Sequence, residues 1–296
     1  MTPELIVDAR NAVGESPVWS AAEQALYWVD IPSGGLHRWH LPSGQQQRWQ
    51  APQMLACIAQ SGQGQWIAGL ESGLFELRID GEQLHAKALA GVEHAQPAMR
   101  FNDGRCDRQG RFWAGTMLLD MAVGAAVGAL YRYEQGQRRP LDPAISPLIV
   151  PNGLAFSPDG RTLYLSDSHP KSQQIWAYDY DLDSGTPGQR RLFVDMNQHP
   201  GRPDGAAVDV DGCYWTCAND AGLIHRFTPQ GKLDRSLQVP VLKPTMCAFG
   251  GPRLDTLFIT SIRPGGDLSE QPLAGGVFAL NPGVCGLEET PFGTRT

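Results

Sequence analysis

The feature that most constrains the fold of this chain is a strand motif that recurs six times. Each copy centres on a short run of aromatic or β-branched residues, which is typical of a buried strand. The central positions lie 40 to 51 residues apart, and the six runs are Leu26-Tyr27-Trp28, Trp66-Ile67-Ala68, Phe112-Trp113-Ala114, Leu163-Tyr164-Leu165, Tyr214-Trp215-Thr216 and Leu257-Phe258-Ile259. Repeats of about 40–50 residues that each hold several short strands are typical of β-propeller blades.

Each unit consists of an apolar strand, a turn and two further strands, which in the clearest copy are residues 153–157, 158–160, 162–166 and 175–178. Six such units predict an all-β, six-bladed β-propeller that fills residues 1–296 as a single domain. One short apolar strand, Leu5-Ile6-Val7, is left over at the start. We expect it to complete the last blade and to close the ring without an open edge. Pairing with residues 26–28 instead would refute this expectation.

Charge and hydropathy argue against several classes of partner. The formal net charge is -7 and the pI is about 5.5, which disfavours binding to a phosphate backbone. No segment approaches the roughly 18 apolar residues of a membrane span. The first residues, Met1-Thr2-Pro3-Glu4, lack the basic and apolar regions of a signal peptide. We therefore expect a cytoplasmic protein that binds neither nucleic acid nor membrane, and we expect a monomer or a weak homo-oligomer.

Cysteine and histidine patterns give no support for a thiolate or imidazole metal centre. The six cysteines form no C-x-x-C pair, and we expect all of them to be reduced and mostly buried. The seven histidines are scattered and form no H-x-H or H-x-x-x-H pair. Structural or surface positions therefore explain them best.

Polar residues recur 11 or 12 positions before the centre of the middle strand, at the start of the innermost strand. Four blades have a carboxylate or carboxamide there, namely Glu15, Asn102, Asn152 and Asp204. The other two blades have Leu55-Ala56 and Met246-Cys247. Because innermost strands line the central channel, we expect the four polar side chains to converge on one mouth. Two carboxylates would repel each other there unless one divalent cation lay between them; the ligand types favour Ca²⁺, Mg²⁺ or Mn²⁺, and Zn²⁺ stays possible.

A turn is the alternative interpretation for three of these positions. Asn102-Asp103-Gly104, Asn152-Gly153 and Asp204-Gly205 are ordinary turn signals. The segment Gly14-Glu15-Ser16-Pro17 is not a standard turn for a glutamate. The four residues occupy the same position in the repeat unit, which we call a station. This shared station favours one cation site over four unrelated turns.

Five ordered segments carry a resemblance to a known family. The chain resembles the senescence-marker-protein/gluconolactonase family, which includes regucalcin, from about residue 5 to about residue 280. The segments are Gly14-Glu15-Ser16-Pro17-Val18-Trp19, Arg100-Phe101-Asn102-Asp103-Gly104, Trp113-Ala114-Gly115-Thr116-Met117, Pro151-Asn152-Gly153-Leu154-Ala155-Phe156-Ser157 and Pro203-Asp204-Gly205. The resemblance implies a six-bladed propeller with one catalytic divalent cation, which hydrolyses aldonolactones such as gluconolactone or pentonolactones.

The same resemblance implies roles for individual residues. Glu15, Asn152 and Asp204 match the metal ligands of the family, and Asp204 also matches the position proposed as general base. Arg100 and Asn102 match its substrate-binding residues. A lid over the site is expected near residues 118–127, where Asp120 is the candidate for a further contact to substrate.

Alternatives stay open at this point. Arg100 could form a structural ion pair with a neighbouring aspartate instead of binding substrate, and Asn102 could reach the metal through water. A calcium-binding regulatory protein of the regucalcin type and a propeller esterase or phosphotriesterase are the competing functions. The sequence contains no G-x-S-x-G elbow and no Walker loop.

Overall fold

The computed structural model describes residues 2–137 and 141–294, which form 24 short strands. The strands of the first three blades, with β1 before them, are β1 (Glu4–Val7), β2 (Gly14–Ser20), β3 (Ala25–Asp30), β4 (Gly35–His40), β5 (Gln46–Gln50), β6 (Cys57–Gly62), β7 (Gln65–Gly69), β8 (Gly73–Asp80), β9 (Gln83–Gly91), β10 (Met99–Cys106), β11 (Phe112–Leu118), β12 (Gly128–Tyr133) and β13 (Pro143–Leu148). Those of the last three are β14 (Pro151–Phe156), β15 (Thr162–Asp167), β16 (Gln174–Asp181), β17 (Thr186–Asp195), β18 (Arg202–Val208), β19 (Tyr214–Asn219), β20 (Leu223–Phe227), β21 (Leu233–Gln238), β22 (Pro244–Gly250), β23 (Thr256–Ser261) and β24 (Val277–Leu280).

These strands form six four-stranded antiparallel sheets, which are the six blades of a β-propeller. The six predicted middle strands are confirmed, because each is the second strand of a different sheet. The fourth, outermost strand of the first five blades was not predicted. Outer strands such as β9 and β21 are largely exposed and polar, so they lack the apolar pattern that marks a strand in a sequence.

The last blade combines the first strand of the chain with its last three strands. Its order is β1-β24-β23-β22, and Leu5 lies opposite Phe278 in antiparallel register. The expected closure by the leftover first strand is therefore confirmed. Because β1 supplies the missing outer strand, this blade is held by chain segments 270 or more residues apart in sequence.

Aromatic residues of the middle strands fill the space between the blades. Trp28, Trp66, Trp113 and Trp215 are fully buried. Tyr27 of the first blade packs against Trp66 of the second, with ring centroids 4.4 Å apart. Each such burial contributes about 2 kcal/mol of hydrophobic stabilisation, which holds neighbouring blades in a fixed relation around the channel.

The channel has two different ends. The innermost strands begin at the upper mouth and end at the lower one. The segment after the last blade crosses the lower mouth: Gly286 bridges to Asp209, Arg105 pairs with Glu289 at 3.5 Å, and the Phe292 amide donates to the Gln60 carbonyl at 2.7 Å. The chain itself therefore covers the lower mouth.

Helices and cysteines take little part in this architecture. The described residues contain two single-turn 3-10 helices, Met121–Val123 and Met196–Gln198. No helix in this part of the chain is long and apolar enough to cross a bilayer. All six cysteines are free, and all except Cys285 are buried, as expected.

Candidate active site at the upper mouth

A β-bulge in the innermost strand aims the polar side chains at the upper mouth. In β2, Glu15 pairs with Val29 and Val18 with Tyr27, so one extra residue is accommodated between them. The innermost strands of the third, fourth, fifth and sixth blades have the same irregularity at the same level. A bulge twists a strand and redirects its side chains, which is common beside active sites. The innermost strand of the second blade, β6, has its irregularity at the other end.

The four predicted polar residues lie at this bulge. Glu15 and Asn152 are the last paired residues before it, whereas Asn102 and Asp204 are the first residues inside it. Their stations therefore differ by one residue, which accounts for the counts of 11 and 12 in the sequence. All four side chains are buried.

Two residues that follow the predicted ligands have left-handed backbone conformations. Ser16 has φ 49° and Gly153 has φ 60°. A Cβ on Gly153 would lie 2.3 Å from the Tyr214 hydroxyl, so only glycine fits there. Ser16 is stabilised in this costly conformation by the Ile58 amide, which donates to its hydroxyl at 3.0 Å. The turn and site interpretations of Asn152-Gly153 are therefore compatible, because the glycine forms the bulge that aims the asparagine.

The two carboxylates carry uncompensated charge. Glu15 and Asp204 are only 8% and 7% exposed, and neither has an Arg, Lys or His partner within 4.0 Å among the described residues. Burial, followed by the charges of Asp204 and Asp103, raises the pKa of Glu15 well above its usual value. Burial also raises the pKa of Asp204 to about 7. Desolvation and mutual repulsion are the causes expected for carboxylates that share a site.

A chain of hydrogen bonds connects Arg100 to the carboxamides. The Arg100 Nη1 donates to Asn102 Oδ1 at 2.8 Å, and Asn102 Nδ2 donates to Asn152 Oδ1 at 3.0 Å. Asn152 Nδ2 in turn donates to the Ser168 hydroxyl at 3.1 Å, which directs Oδ1 away from Ser168. Asn102 and Asn152 are therefore neighbours, and Arg100 lies beside them.

Arg100 is not held in an ion pair. Its other hydrogen bond goes to the Phe101 carbonyl at 2.7 Å, and no carboxylate of the described residues lies within 4.0 Å of its guanidinium. Burial lowers the pKa of Arg100 to about 10, while the nearby charges of Glu15 and Asp204 oppose that shift. The alternative of a structural ion pair is therefore wrong, and the guanidinium keeps donors for another acceptor.

The residues that contact Asp204 were missed by sequence reasoning. Asn219 Nδ2 donates to Asp204 Oδ2 at 2.6 Å. Arg202 donates to Asn219 Oδ1 at 3.4 Å and forms an ion pair with Asp220 at 2.6 Å, and Lys243 pairs with the same aspartate. A signal was present, because the middle strands of three blades end in a polar residue at the equivalent position, namely Asp30, Asp167 and Asn219.

Asp103 is a further buried carboxylate, which follows Asn102 in β10. It accepts a hydrogen bond from the Leu154 amide at 2.8 Å. Burial raises its pKa, and the charge of Arg105 opposes that shift. Its charge adds to the negative potential around Glu15.

The expected lid segment lies across the fourth blade. Asp120 is exposed and accepts a hydrogen bond from the Ala122 amide at 3.0 Å, so it caps the helix Met121–Val123. His169 Nδ1 accepts from the Lys171 amide at 3.1 Å, so its Nε2 carries the proton and donates to the Met121 carbonyl at 3.0 Å. The segment is thus attached beside Ser168, while a contact of Asp120 with substrate stays a prediction.

The donor set suits a hard cation. No three His, Cys, Asp or Glu side chains converge anywhere in residues 2–137 and 141–294, which leaves no thiolate- or imidazole-rich centre there. At the upper mouth, Glu15 Oε2 accepts from the Ser16 amide and Asp204 Oδ2 from Asn219. Within the described chain, Glu15 Oε1 and Asp204 Oδ1 have no hydrogen-bond donor. Two such oxygens, together with the Asn152 carboxamide at the same level of the fourth blade, fit an oxygen-ligated divalent ion.

The fold and this mouth define a six-bladed propeller with an acidic, carboxamide-lined site at one end of its channel. Residues 13–263 match the family described as the SMP-30/Gluconolactonase/LRE-like region. The protein belongs to this family, which confirms the resemblance seen in the sequence.

Relatives extend over nearly the whole chain. The chain is 40% identical to the 6-deoxy-6-sulfogluconolactonase of Pseudomonas putida over 297 residues, which cover 98% of each protein. It is 33% identical to the regucalcin of Danio rerio, with 96% of each protein covered. Its structure is similar to that of a calcium-binding protein, regucalcin, from Agrobacterium tumefaciens, with a TM-score of 0.91, 27% identity and coverage of 100% of this chain and 98% of that one.

Proposed function

We propose that this protein is a divalent-cation-dependent hydrolase that opens aldonolactones such as gluconolactone or a pentonolactone. The observation that carries the proposal is the uncompensated pair Glu15 and Asp204, which are buried at the mouth and close enough to each other and to Arg100 for their charges to interact. A protein retains such costly charge where a ligand compensates it. The 40% identity to a sulfogluconolactonase supports a lactone as the substrate.

Glu15, Asn152 and Asp204 would hold the cation, which could be Ca²⁺, Zn²⁺, Mg²⁺ or Mn²⁺. When bound, a divalent cation polarises a carbonyl oxygen and lowers the pKa of coordinated water. Asn152 keeps a second lone pair on Oδ1 for this purpose, since Asn102 uses only one. Asp204 has Oδ1 free for the cation or the attacking water, because its Oδ2 is engaged by Asn219, and it would serve one or both.

Arg100 and Asn102 would bind the substrate. The guanidinium offers donors to the carbonyl or ring hydroxyls of the lactone, and it stabilises negative charge that develops on the carbonyl oxygen. Asn102 both donates and accepts, which suits a sugar hydroxyl. Asp204 would take the proton of the attacking water; a cation that stabilises its charged form weakens it as a base, so the ligand and base roles compete.

A second candidate function is calcium binding without catalysis. The all-oxygen donor set and the similarity to a calcium-binding regucalcin favour it. Both functions predict cation binding at the same residues. They differ only in whether lactones are opened.

Proton release distinguishes these functions. The purified protein is mixed with gluconolactone, a pentonolactone, 6-deoxy-6-sulfogluconolactone, an aryl ester and a phosphotriester, each with Ca²⁺, Mg²⁺, Mn²⁺ or Zn²⁺. We expect the fastest hydrolysis with a sugar lactone, loss of activity in a chelator, and recovery on adding a cation. Cation binding without hydrolysis of any lactone would favour the calcium-binding function. Full activity in excess chelator would contradict the proposed site, and preference for the aryl ester or phosphotriester would contradict the substrate class.

A further inference from the structure

The middle strands of three blades end in equivalent polar residues. Asp30 pairs in register with Gly14, Asp167 with Pro151, and Asn219 with Arg202. Each paired partner lies one or two residues before a predicted cation ligand. The repeat therefore allows the contacts of this station, the last residue of the middle strand, to be compared between blades.

In the first and fourth blades the station is an aspartate that accepts hydrogen bonds from the backbone. Asp30 accepts from the Val13 amide at 2.9 Å. Asp167 accepts from the Ile149 and Val150 amides at 2.8 and 2.9 Å. These carboxylates stabilise the segment that enters the innermost strand, and they do not contact Glu15 or Asn152 in the described chain.

In the fifth blade the station is a donor. Asn219 is 1% exposed, and its Nδ2 lies 2.6 Å from Asp204 Oδ2. An ionised aspartate accepts hydrogen bonds and cannot donate them, so an aspartate at position 219 would oppose Asp204 instead of holding it. The change from Asp to Asn thus coincides with a change of partner from a backbone amide to a carboxylate.

The orientation of the Asn219 carboxamide is determined by its other neighbour. Arg202 donates to Asn219 Oδ1, and it also donates to the Ser168 carbonyl at 3.3 Å. Because arginine only donates, the oxygen of Asn219 faces Arg202 and its nitrogen faces Asp204. Asp220 fixes Arg202 in turn through the 2.6 Å ion pair.

We propose that Asn219 is a positioning residue of the active site, which holds Asp204 Oδ2 so that Asp204 Oδ1 faces the channel mouth. This inference rests on the proposed function of Asp204. A short hydrogen bond from a neutral donor to a carboxylate is among the stronger ones in proteins. Partners that orient a metal ligand in this way typically contribute about 10- to 100-fold in metal affinity or activity.

The test compares Asn219→Leu with a matched control. Tyr180→Phe also removes a 2.6 Å hydrogen bond to a buried carboxylate, in this case Asp107 at the lower end of the strands. Ca²⁺ and Mn²⁺ are titrated separately into each variant by calorimetry, and kcat and KM for gluconolactone are measured at saturating cation. Thermal melting shows whether each variant is folded.

We expect Asn219→Leu to bind the cation about 10- to 100-fold more weakly and to lose kcat by a similar factor, with KM within about threefold of the parent. Tyr180→Phe should melt at a lower temperature with unchanged affinity, kcat and KM. If Asn219→Leu does not fold, Asn219→Ala replaces it with the same expectations. Parental cation affinity and kcat in the folded variant would overturn the positioning role. If the parent protein does not hydrolyse lactones, the proposed function fails, and the cation titration still tests whether Asn219 positions Asp204.

Discussion

Both ends of the channel contain buried carboxylates, but the two ends differ in how many hydrogen bonds these carboxylates accept. At the lower end, Asp209 is fully buried and accepts four hydrogen bonds, from the Asp211 and Cys213 amides to Oδ1 and from Trp215 and Arg226 to Oδ2. At the upper end, Glu15 and Asp204 accept one hydrogen bond each. Asp209 directly follows β18, the strand that contains Asp204, so the difference arises between two ends of one strand and not between blades.

Asp107 of the third blade repeats the pattern of the lower end. It accepts from the Gln109 and Arg111 amides, from the Arg111 guanidinium and from the Tyr180 hydroxyl. A carboxylate with four donors has its charge compensated inside the protein, and it stabilises a turn. A buried carboxylate with one donor keeps an unmet demand for positive charge. The number of donors therefore distinguishes Asp107 and Asp209 from Glu15 and Asp204 in this propeller.

The largest expected effect is on catalysis at the upper mouth. Asp204→Asn and Glu15→Gln should each lower kcat/KM for a sugar lactone by about 10³-fold, because each removes a charge that the cation or the proton transfer requires. The cation-free variants should melt no lower than the parent, since a desolvated charge has been removed. Lactone hydrolysis near the parental rate in either variant would contradict the assignment of this mouth as the active site.

The converse effect is expected at the lower end. Asp209→Ala leaves the Trp215 indole and two backbone amides without their acceptor, which should reduce the free energy of unfolding by about 3 kcal/mol. The kinetic constants of the folded fraction should stay unchanged. Urea unfolding, together with kcat and KM at a permissive temperature, measures both. Loss of catalysis without loss of stability would show that the two ends do not differ as described.

The smallest effect is a pH dependence of stability in the cation-free protein. Because the pKa of Asp204 is raised to about 7 in the folded state, the folded protein binds this proton more tightly than the unfolded chain. The contribution of Asp204 to stability is therefore greatest at low pH and is lost as the pH rises through about 7, by about 1 kcal/mol between pH 6 and pH 8.

Melting curves in chelator, recorded for the parent and for Asp204→Asn, isolate this contribution. The variant should lose less stability over the same pH interval, because its side chain does not titrate. Equal slopes for the two proteins would contradict the raised pKa, and with it the idea that the charge of Asp204 is uncompensated.

Much of the fold could be predicted because its signals are local in sequence. The middle strands are marked by large buried side chains such as Trp66 and Trp215, and the six-fold count follows from their spacing. The outer strands could not be predicted in the same way, since exposed strands such as β21 are specified by pairing with a neighbour and not by hydrophobicity.

The residues of the candidate site also divide into those that the sequence could predict and those that it could not. Glu15, Asn102, Asn152 and Asp204 could be found from their shared station in the repeat, and family resemblance added Arg100. Asn219 could not be assigned a role, because its partner Asp204 lies 15 residues away on another strand of the same blade. Asp120 was taken from resemblance alone, and the fold gives it a helix-capping contact.

The amino-acid sequence by itself determined the number of blades, the closure by the first strand and the level at which polar groups enter the channel. The number of blades and the polar level depend on periodicity, and the closure follows because one strand is left over once six units have been counted. Only the tertiary structure decided which buried carboxylates are compensated, as at Asp209, and which keep their charge, as at Asp204. Compensation depends on donors brought in by other strands, loops and blades, and the distance to those donors exists only once the ring has closed.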